Sequence, residues 1–272
     1  MPLSHRVLMC PPTHFAVDYV INPWMADHVH GADPVRALAQ WTALRDILAG
    51  LAQIETVAPG EGLPDMPFTA NAGLVLGKVF VPSRFRHPQR QGEEALFTDW
   101  FRQHGHIIRE LPETLDFEGA GDALFDRAAR RLWLGYGHRS DAGVADALAP
   151  LLDIETIALR LTDPRFYHLD TCFCPLGDGW LLYYPPAFDE AARAAIAECV
   201  PETRRIVVGE EDALSFACNA VNLGDTVVLN RVSDALKATL RAAGFRVVET
   251  PLDEFLKAGG SAKCLTLRLD EA

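Results

Sequence analysis

The chain has 272 residues, 49% of them hydrophobic and 23% charged, with a net charge of -12. This is a globular composition with enough length for a substantial core. The excess of acid argues against a nucleic-acid partner, which needs a basic footprint, and no apolar run approaches a membrane span. Met1-Pro2-Leu3-Ser4-His5-Arg6 carries no charged-then-apolar signal pattern, so the cytoplasm is the expected setting. Cys10, Cys172, Cys174, Cys199, Cys218 and Cys264 include no CxxC pair, so neither a zinc knuckle nor a dithiol redox motif is indicated. Cys172 and Cys174 read as core.

In chain order, five segments repeat one pattern of helix, short linker and apolar strand. Asp33 and Pro34 supply the N-cap and first position of a helix running to about Ala49, with Ile54 to Val57 as its strand. Glu93 to His104 is an amphipathic helix before Ile107 to Leu111. Ala142 to Leu152 leads to Ile154 through Leu161, and Asp189 to Val200 leads to Arg205 through Val208. Ser233 to Ala243, stopped by Gly244, leads to Phe245 through Thr250. Between these units lie hairpins: Asn71 to Leu76 with Val79 to Val81, Gly121 to Phe125 with Arg131 to Leu134, Thr171 to Leu176 with Trp180 to Tyr183, and Cys218 to Leu223 with Val227 to Leu229. Gly-Lys and Gly-Asp between apolar runs are hairpin signals. A fifth hairpin is expected from the two ends, Cys264 to Leu269 with Arg6 to Cys10.

A period of roughly 50 residues is the scale of a propeller blade, and a closed ring removes exposed strand edges. The expectation is an α/β chain folded as one domain over 1–272, with an ordinary α/β sandwich as the alternative. Polar residues interrupt the hairpins at one phase of the repeat: Asp65 and Asn71, then Glu118, then His168 and Asp170, then Cys264. In a ring these positions meet at the centre. Cys264, at what reads as a loop-to-strand boundary after Gly259-Gly260, is a candidate nucleophile once deprotonated. His168 is a candidate acid and base, its ordinary pKa lying near 6.5. With Asp170 two residues on along an expected strand, both can point inward. Carboxylates crowded beside a thiol call for a cationic substrate, and a planar guanidinium matches them with paired bonds.

Phe117-Glu118-Gly119-Ala120-Gly121-Asp122, Phe166-Tyr167-His168-Leu169-Asp170 and Gly259-Gly260-Ser261-Ala262-Lys263-Cys264-Leu265-Thr266 resemble the guanidine-modifying superfamily of arginine deiminases, dimethylarginine dimethylaminohydrolases and amidinotransferases. The resemblance covers essentially the whole chain and implies a five-bladed α/β propeller of ββαβ units, the pentein fold. It implies that Cys264 attacks the guanidinium carbon, and that His168 protonates departing ammonia and then activates water. Glu118 and Asp170 would hold guanidinium N–H groups, Arg90 and Arg139 the α-carboxylate, and Asp65 the cationic parts. Deiminases carry an aspartate where this chain has Asn71. With Asn22 in Tyr19-Val20-Ile21-Asn22-Pro23-Trp24-Met25, that change resembles the arginine dihydrolases, which release ornithine, two ammonia and carbon dioxide.

The expected partner is a small molecule, arginine or a methylated arginine; no cofactor and no metal are expected, and a homodimer stays open. Competing readings are a methylarginine hydrolase or deiminase stopping at citrulline, a non-catalytic binding protein on the same propeller, and a metal-dependent hydrolase built on His168 and Asp170. No HExxH or paired-His spacing supports the last.

Overall fold

Strand β1 (His5–Met9) is followed by helix α1 (Pro34–Ala49) and strand β2 (Ala52–Thr56), which runs parallel to β1. This computed structural model describes residues 5–271; the part of the signal reading that falls on Met1 to Ser4 lies outside them. Helix α1 begins where the sequence places it. The Asp33 side chain accepts from the Val35 and Arg36 N–H groups at 2.9 and 3.2 Å, and Pro34 occupies the first turn, where its missing N–H costs nothing.

The next unit is β3 (Gly73–Leu76), β4 (Val79–Pro82), helix α2 (Pro88–Gln103) and β5 (Ile107–Ile108). Then come β6 (Ala123–Phe125), β7 (Arg131–Tyr136), α3 (Val144–Leu152) and β8 (Glu155–Arg160). The fourth has β9 (Phe173–Leu176), β10 (Trp180–Tyr183), α4 (Glu190–Cys199) and β11 (Arg205–Val207), with a short α5 (Glu210–Leu214) after it. The last has β12 (Val221–Leu223), β13 (Thr226–Leu229), α6 (Asp234–Ala242) and β14 (Arg246–Glu249), followed by α7 (Asp253–Leu256) and β15 (Leu267–Arg268). Among the described residues these make five three-stranded sheets of one topology: an antiparallel hairpin, then a parallel strand beyond the helix. The sheet assembled from the two ends obeys the same rule. Strand β15 lies antiparallel to β1, with Val7 opposite Arg268 and Leu8 opposite Leu267.

Three expectations are corrected. Helix α2 starts at Pro88, not Glu93, because a proline fits the first turn of a helix and the residues after it continue the coil. The consequence is local: Arg90 and Glu93 lie three apart on one helix. The second correction concerns the starts of the hairpins. Thr69–Ala72, Gly119–Gly121 and Leu169–Thr171 are single 3-10 turns, not strand. Their N–H groups bond back three residues, as Asn71 N does to Phe68 O and Thr171 N to His168 O, so the backbone is satisfied without a partner strand. His168 and Asp170 therefore belong to a turn, and strand alternation does not set their directions. The third is that Cys264 lies in a turn over Ala262 to Leu265, before β15, and not in a strand.

Apolar faces of the sheets and helices fill the interior. Phe80 of β4 and Phe101 of α2 stack at 3.7 Å, fixing helix to sheet. Cys172 and Cys174 are buried among apolar neighbours, in agreement with their reading as core. Among the described residues no helix is long and apolar enough to cross a membrane. Asp33→Ala removes the cap of α1 and is expected to lower the unfolding free energy by about 1 kcal/mol, read from urea denaturation; an unchanged midpoint refutes the capping role.

Candidate active site

The 3-10 turns carry the polar side chains inward, each immediately before the first strand of a hairpin. Two glycines let them crowd. A Cβ on Gly121 would strike Asn71 Nδ2 and lie 3.4 Å from His168 Nδ1, so the amide and the imidazole face one gap. Gly259 has a φ of +81°, and a Cβ there would come within 2.7 Å of the Tyr167 hydroxyl and 2.9 Å of Asn22 Oδ1.

Glu118 is fully buried. Its Oε2 accepts from Arg139 Nη1 at 2.9 Å and from His168 Nε2 at 2.7 Å. Burial favours protonation of this carboxyl, but Arg139 first and the His168 bond second overcome it and hold its pKa below the usual carboxylate range. The imidazole moves the other way. Burial lowers the His168 pKa to about 4 despite Glu118. An ionised Glu118 beside a neutral imidazole assigns the ring proton to Nε2 and leaves the Nδ1 lone pair free. Arg139 also donates to Ile21 O at 2.9 Å and stacks 4.5 Å from the centre of the Tyr167 ring.

Arg90 is held more completely. Glu93 takes its Nε and Nη2 at 2.8 and 2.7 Å, Asn71 Oδ1 takes Nη1 at 2.8 Å, and Asp65 O accepts from Nη2 at 3.2 Å. Because Asn71 Oδ1 accepts from Arg90, its amino group is the outward edge, and it donates to Glu118 O at 3.2 Å. Asp65 Oδ2 accepts from the Tyr19 hydroxyl at 2.8 Å, and burial raises its pKa, opposed by Arg90. Asn22 caps the Pro23–Met25 turn through Oδ1 and donates to Ala258 O at 3.0 Å. In this site the buried oxygens Glu118 Oε1 and Asp65 Oδ1 have no hydrogen-bond partner among the described residues.

Cys264 Sγ lies 3.4 Å from Asp170 Oδ2 and 3.0 Å from Asn219 Nδ2. Burial drives the thiol pKa well above its ordinary value, and the Asp170 carboxylate adds to this; the Ser261 N–H and the Asn219 amide act against it. Asp170 is itself raised to about 6 by burial, opposed by Lys263. The thiol is thus protonated and aimed at a carboxylate.

A cavity of about 250 Å³ is walled by Asn22, Asp65, Asn71, Arg90, Arg139 and Cys264, with Ile21, Met25, Phe68, Tyr167, Ala258 and Gly259 completing it. Six of the nine residues named from the sequence stand in that wall. Glu118, His168 and Asp170 do not: Glu118 bonds to Arg139 and Asp170 to Cys264, both in the wall, while His168 bonds to Glu118 behind it. Cys264 and His168 share no hydrogen bond among the described residues: the thiol faces Asp170 and the imidazole Glu118. A larger open groove, about 1020 Å³ beside Arg127, Arg130 and Arg131, has neither thiol nor imidazole in its lining.

Sequence reasoning missed Glu93, Tyr19, Tyr167 and Asn219. For Asn219 a signal was present: Asn71-Ala72 and Asn219-Ala220 both stand directly before the first strand of a hairpin. Glu93 was hidden by its reading as the first residue of an amphipathic helix, which begins at Pro88.

The family described as "N,N dimethylarginine dimethylhydrolase, eukaryotic" matches residues 37–270. The bifunctional arginine dihydrolase/ornithine cyclodeaminase ArgZ of Synechocystis is 57% identical over 98% of this chain, which spans only 38% of that relative's length. The N(G),N(G)-dimethylarginine dimethylaminohydrolase of Mycobacterium tuberculosis is 41% identical over 98% of this chain and 87% of its own. The N-terminal domain of ArgZ, solved as a Cys-to-Ser mutant bound to substrate, superimposes with a TM-score of 0.97 at 56% identity over 98% of each chain; an Asn-to-Ser variant of that domain has been solved covalently bound to a reaction intermediate.

Two outcomes are expected. Nitrogen-15 NMR of labelled histidine should find His168 neutral at pH 7 with its proton on Nε2 and a midpoint about 4; a midpoint above 6 contradicts the assignment. Glu93→Gln strands the buried Arg90 charge and should lower the unfolding free energy by roughly 3–5 kcal/mol in chemical denaturation, whereas a surface pair would cost under about 1 kcal/mol.

Proposed function

The chain belongs to the dimethylarginine dimethylaminohydrolase family of the guanidine-modifying superfamily, and from that premise we propose that it is a cysteine-dependent hydrolase taking arginine through to ornithine, two ammonia and carbon dioxide. The observation that carries this reading is the pair of buried carboxylate oxygens without partners, Glu118 Oε1 and Asp65 Oδ1, in and behind the wall that presents Cys264. An unpaired buried acceptor is costly, and a ligand rich in N–H donors relieves it. A guanidinium is such a ligand.

The proposal includes the architecture. The five sheets are the blades of one pentein propeller, and 1–272 is a single domain; the shared topology of the sheets supports both. A cytoplasmic setting belongs to the proposal on the sequence alone.

The mechanism follows from the protonation states. Burial and Asp170 keep the proton on the thiol until a cation stands beside it. A guanidinium beside Sγ replaces repulsion from Asp170 with attraction to a cation and favours the thiolate. The proton passes to His168 Nδ1, and the imidazolium is stabilised by Glu118. The thiolate attacks the guanidinium carbon, the C–N bond breaks, and His168 returns its proton to the leaving ammonia. Neutral His168 then takes a proton from water, hydroxide adds to the carbon, and C–S cleavage gives citrulline. A second attack on the ureido carbon expels the second ammonia. Hydrolysis of that adduct yields a carbamate that breaks down to ornithine and carbon dioxide, so two waters are consumed in all.

Asn71 is assigned the retention of citrulline. Arg90 fixes its amide so that the amino edge faces the gap beside Gly121, a donor for the ureido oxygen that an aspartate lacks. Of the two arginines, Arg139 is the better placed for the substrate α-carboxylate, since Arg90 is chelated by Glu93. Asp170 and Glu118 take guanidinium N–H groups, and Asn22 shapes the entrance.

The second reading, a methylarginine hydrolase stopping at citrulline, is favoured by the 41% identity to the mycobacterial relative. Incubation with arginine, dimethylarginine and citrulline separates the two. Ornithine with two equivalents of ammonia is expected from arginine, and Asn71→Asp should accumulate citrulline. If Asn71→Asp still gives ornithine with no added citrulline, the role of Asn71 fails; if dimethylamine from dimethylarginine is the faster product, the second reading replaces the first.

A further inference from the structure

Asn219 is completely buried in the turn before β12, and both ends of its amide are committed. Oδ1 accepts from the backbone N–H groups of Ser261 and Cys264, each at 3.1 Å. With the oxygen so placed, the orientation of the amide is fixed and Nδ2 must face the other way. It donates to Asp170 O at 3.1 Å and to Cys264 Sγ at 3.0 Å. The backbone repeats the tie: Lys263 N donates to Asn219 O at 3.1 Å. One side chain therefore holds the nucleophile's amide, the turn before it and the sulfur itself.

The surroundings give the N–H···S contact a purpose. Asp170 stands 3.4 Å from the sulfur and repels a thiolate. Tyr167 and Lys263 face the same group, and Asp65, Arg90 and Arg139 share its cavity. The arginines are occupied by Glu93 and Glu118. Beside the Ser261 N–H, Asn219 supplies a neutral side-chain donor 3.0 Å from the sulfur, and a hydrogen bond to an ionised acceptor is roughly twice as strong as one between neutral groups.

We propose that Asn219 is a further catalytic residue, whose Nδ2–H donates to the Cys264 sulfur and stabilises it as a thiolate both before attack and as the leaving group of each hydrolysis. The assignment rests on reading Cys264 as the nucleophile. The proton released by the thiol goes to His168, as above, and no bond to Asn219 is made or broken beyond the hydrogen bond. That bond weakens when sulfur becomes a thioether and re-forms when the C–S bond breaks. The unit that opens with β12 thus contributes to the chemistry through the counterpart of Asn71.

The test uses the full chain and the pH dependence of Cys264 alkylation by iodoacetamide, followed by mass spectrometry of the modified peptide, beside kcat and KM for arginine. Asn219→Asp keeps an oxygen for the Ser261 and Cys264 N–H groups but replaces the donor with an acceptor; Asn219→Ala removes both. In each the alkylation inflection should rise by at least about one pH unit, so alkylation below the inflection slows about tenfold. Turnover should fall through kcat more than through KM. A folded Asn219→Asp with the wild-type alkylation profile overturns the proposal, even if kcat falls. Should the variants not fold, the side-chain amide of Asn219 in the unaltered protein decides: its nitrogen-15 shift must titrate with the thiol inflection, and a flat shift overturns the role. Turnover surviving in Cys264→Ser overturns the nucleophile reading and this inference with it. An unaltered protein that alkylates as expected but leaves arginine untouched defeats only the choice of substrate.

Discussion

A carboxylate removed from water must be met by positive charge or by hydrogen-bond donors, and Glu118 is where that requirement organises the interior. Two groups reach one of its oxygens, a guanidinium from after β7 and an imidazole from the turn before β9. The ion pair sets the rest. It keeps Glu118 ionised, which fixes the tautomer of His168, which in turn leaves a basic nitrogen beside Gly121. The Arg90–Glu93 pair works in parallel, holding the amide of Asn71 so that its donor edge faces that same gap. Polar groups from several repeats are thereby locked in one orientation before any substrate arrives, which is what a reacting site requires of its supports.

The repeat was legible because each unit carries strong local signals. Asp33-Pro34, Asp189 and Ser233 start helices by capping, and Gly77-Lys78 and Gly224-Asp225 turn hairpins. These effects act over three or four residues and do not depend on the rest of the chain. The hairpin starts were misread for the opposite reason. Asn71, Gly121 and Thr171 stand two residues before a strand, and nothing local distinguishes a longer strand from a 3-10 turn whose polar side chains are wanted in the interior. The start of α2 was misplaced because Pro88 looks like a stop until the chain before it is known to be extended.

The site was legible in residue type and less so in arrangement. Cys264, His168 and the acids could be picked out by chemistry and phase. That the thiol would lean on Asp170 while the imidazole leans on Glu118 depends on contacts between residues dozens of positions apart. Arg90 shows the limit clearly. As a residue type it suits a carboxylate clamp, but Glu93 one helical turn away claims its fork, and only the true start of α2 puts the two on one helix. Asn219 escaped notice because the pattern places it inside a strand from Cys218 to Leu223, whereas the strand begins at Val221, and its value comes from the sulfur opposite.

The sheet that joins β15 to β1 has a consequence for how the molecule is made. His5 and Asp270 meet at 2.8 Å although 265 positions separate them, and β15 follows the thiol by three residues. Contacts of such long range form late, because a large loop must close before they return anything. A nascent chain halted just past Cys264 would own the sulfur but not the seam that aims it. Assembly of the site around Cys264 is thereby deferred until synthesis has passed β15.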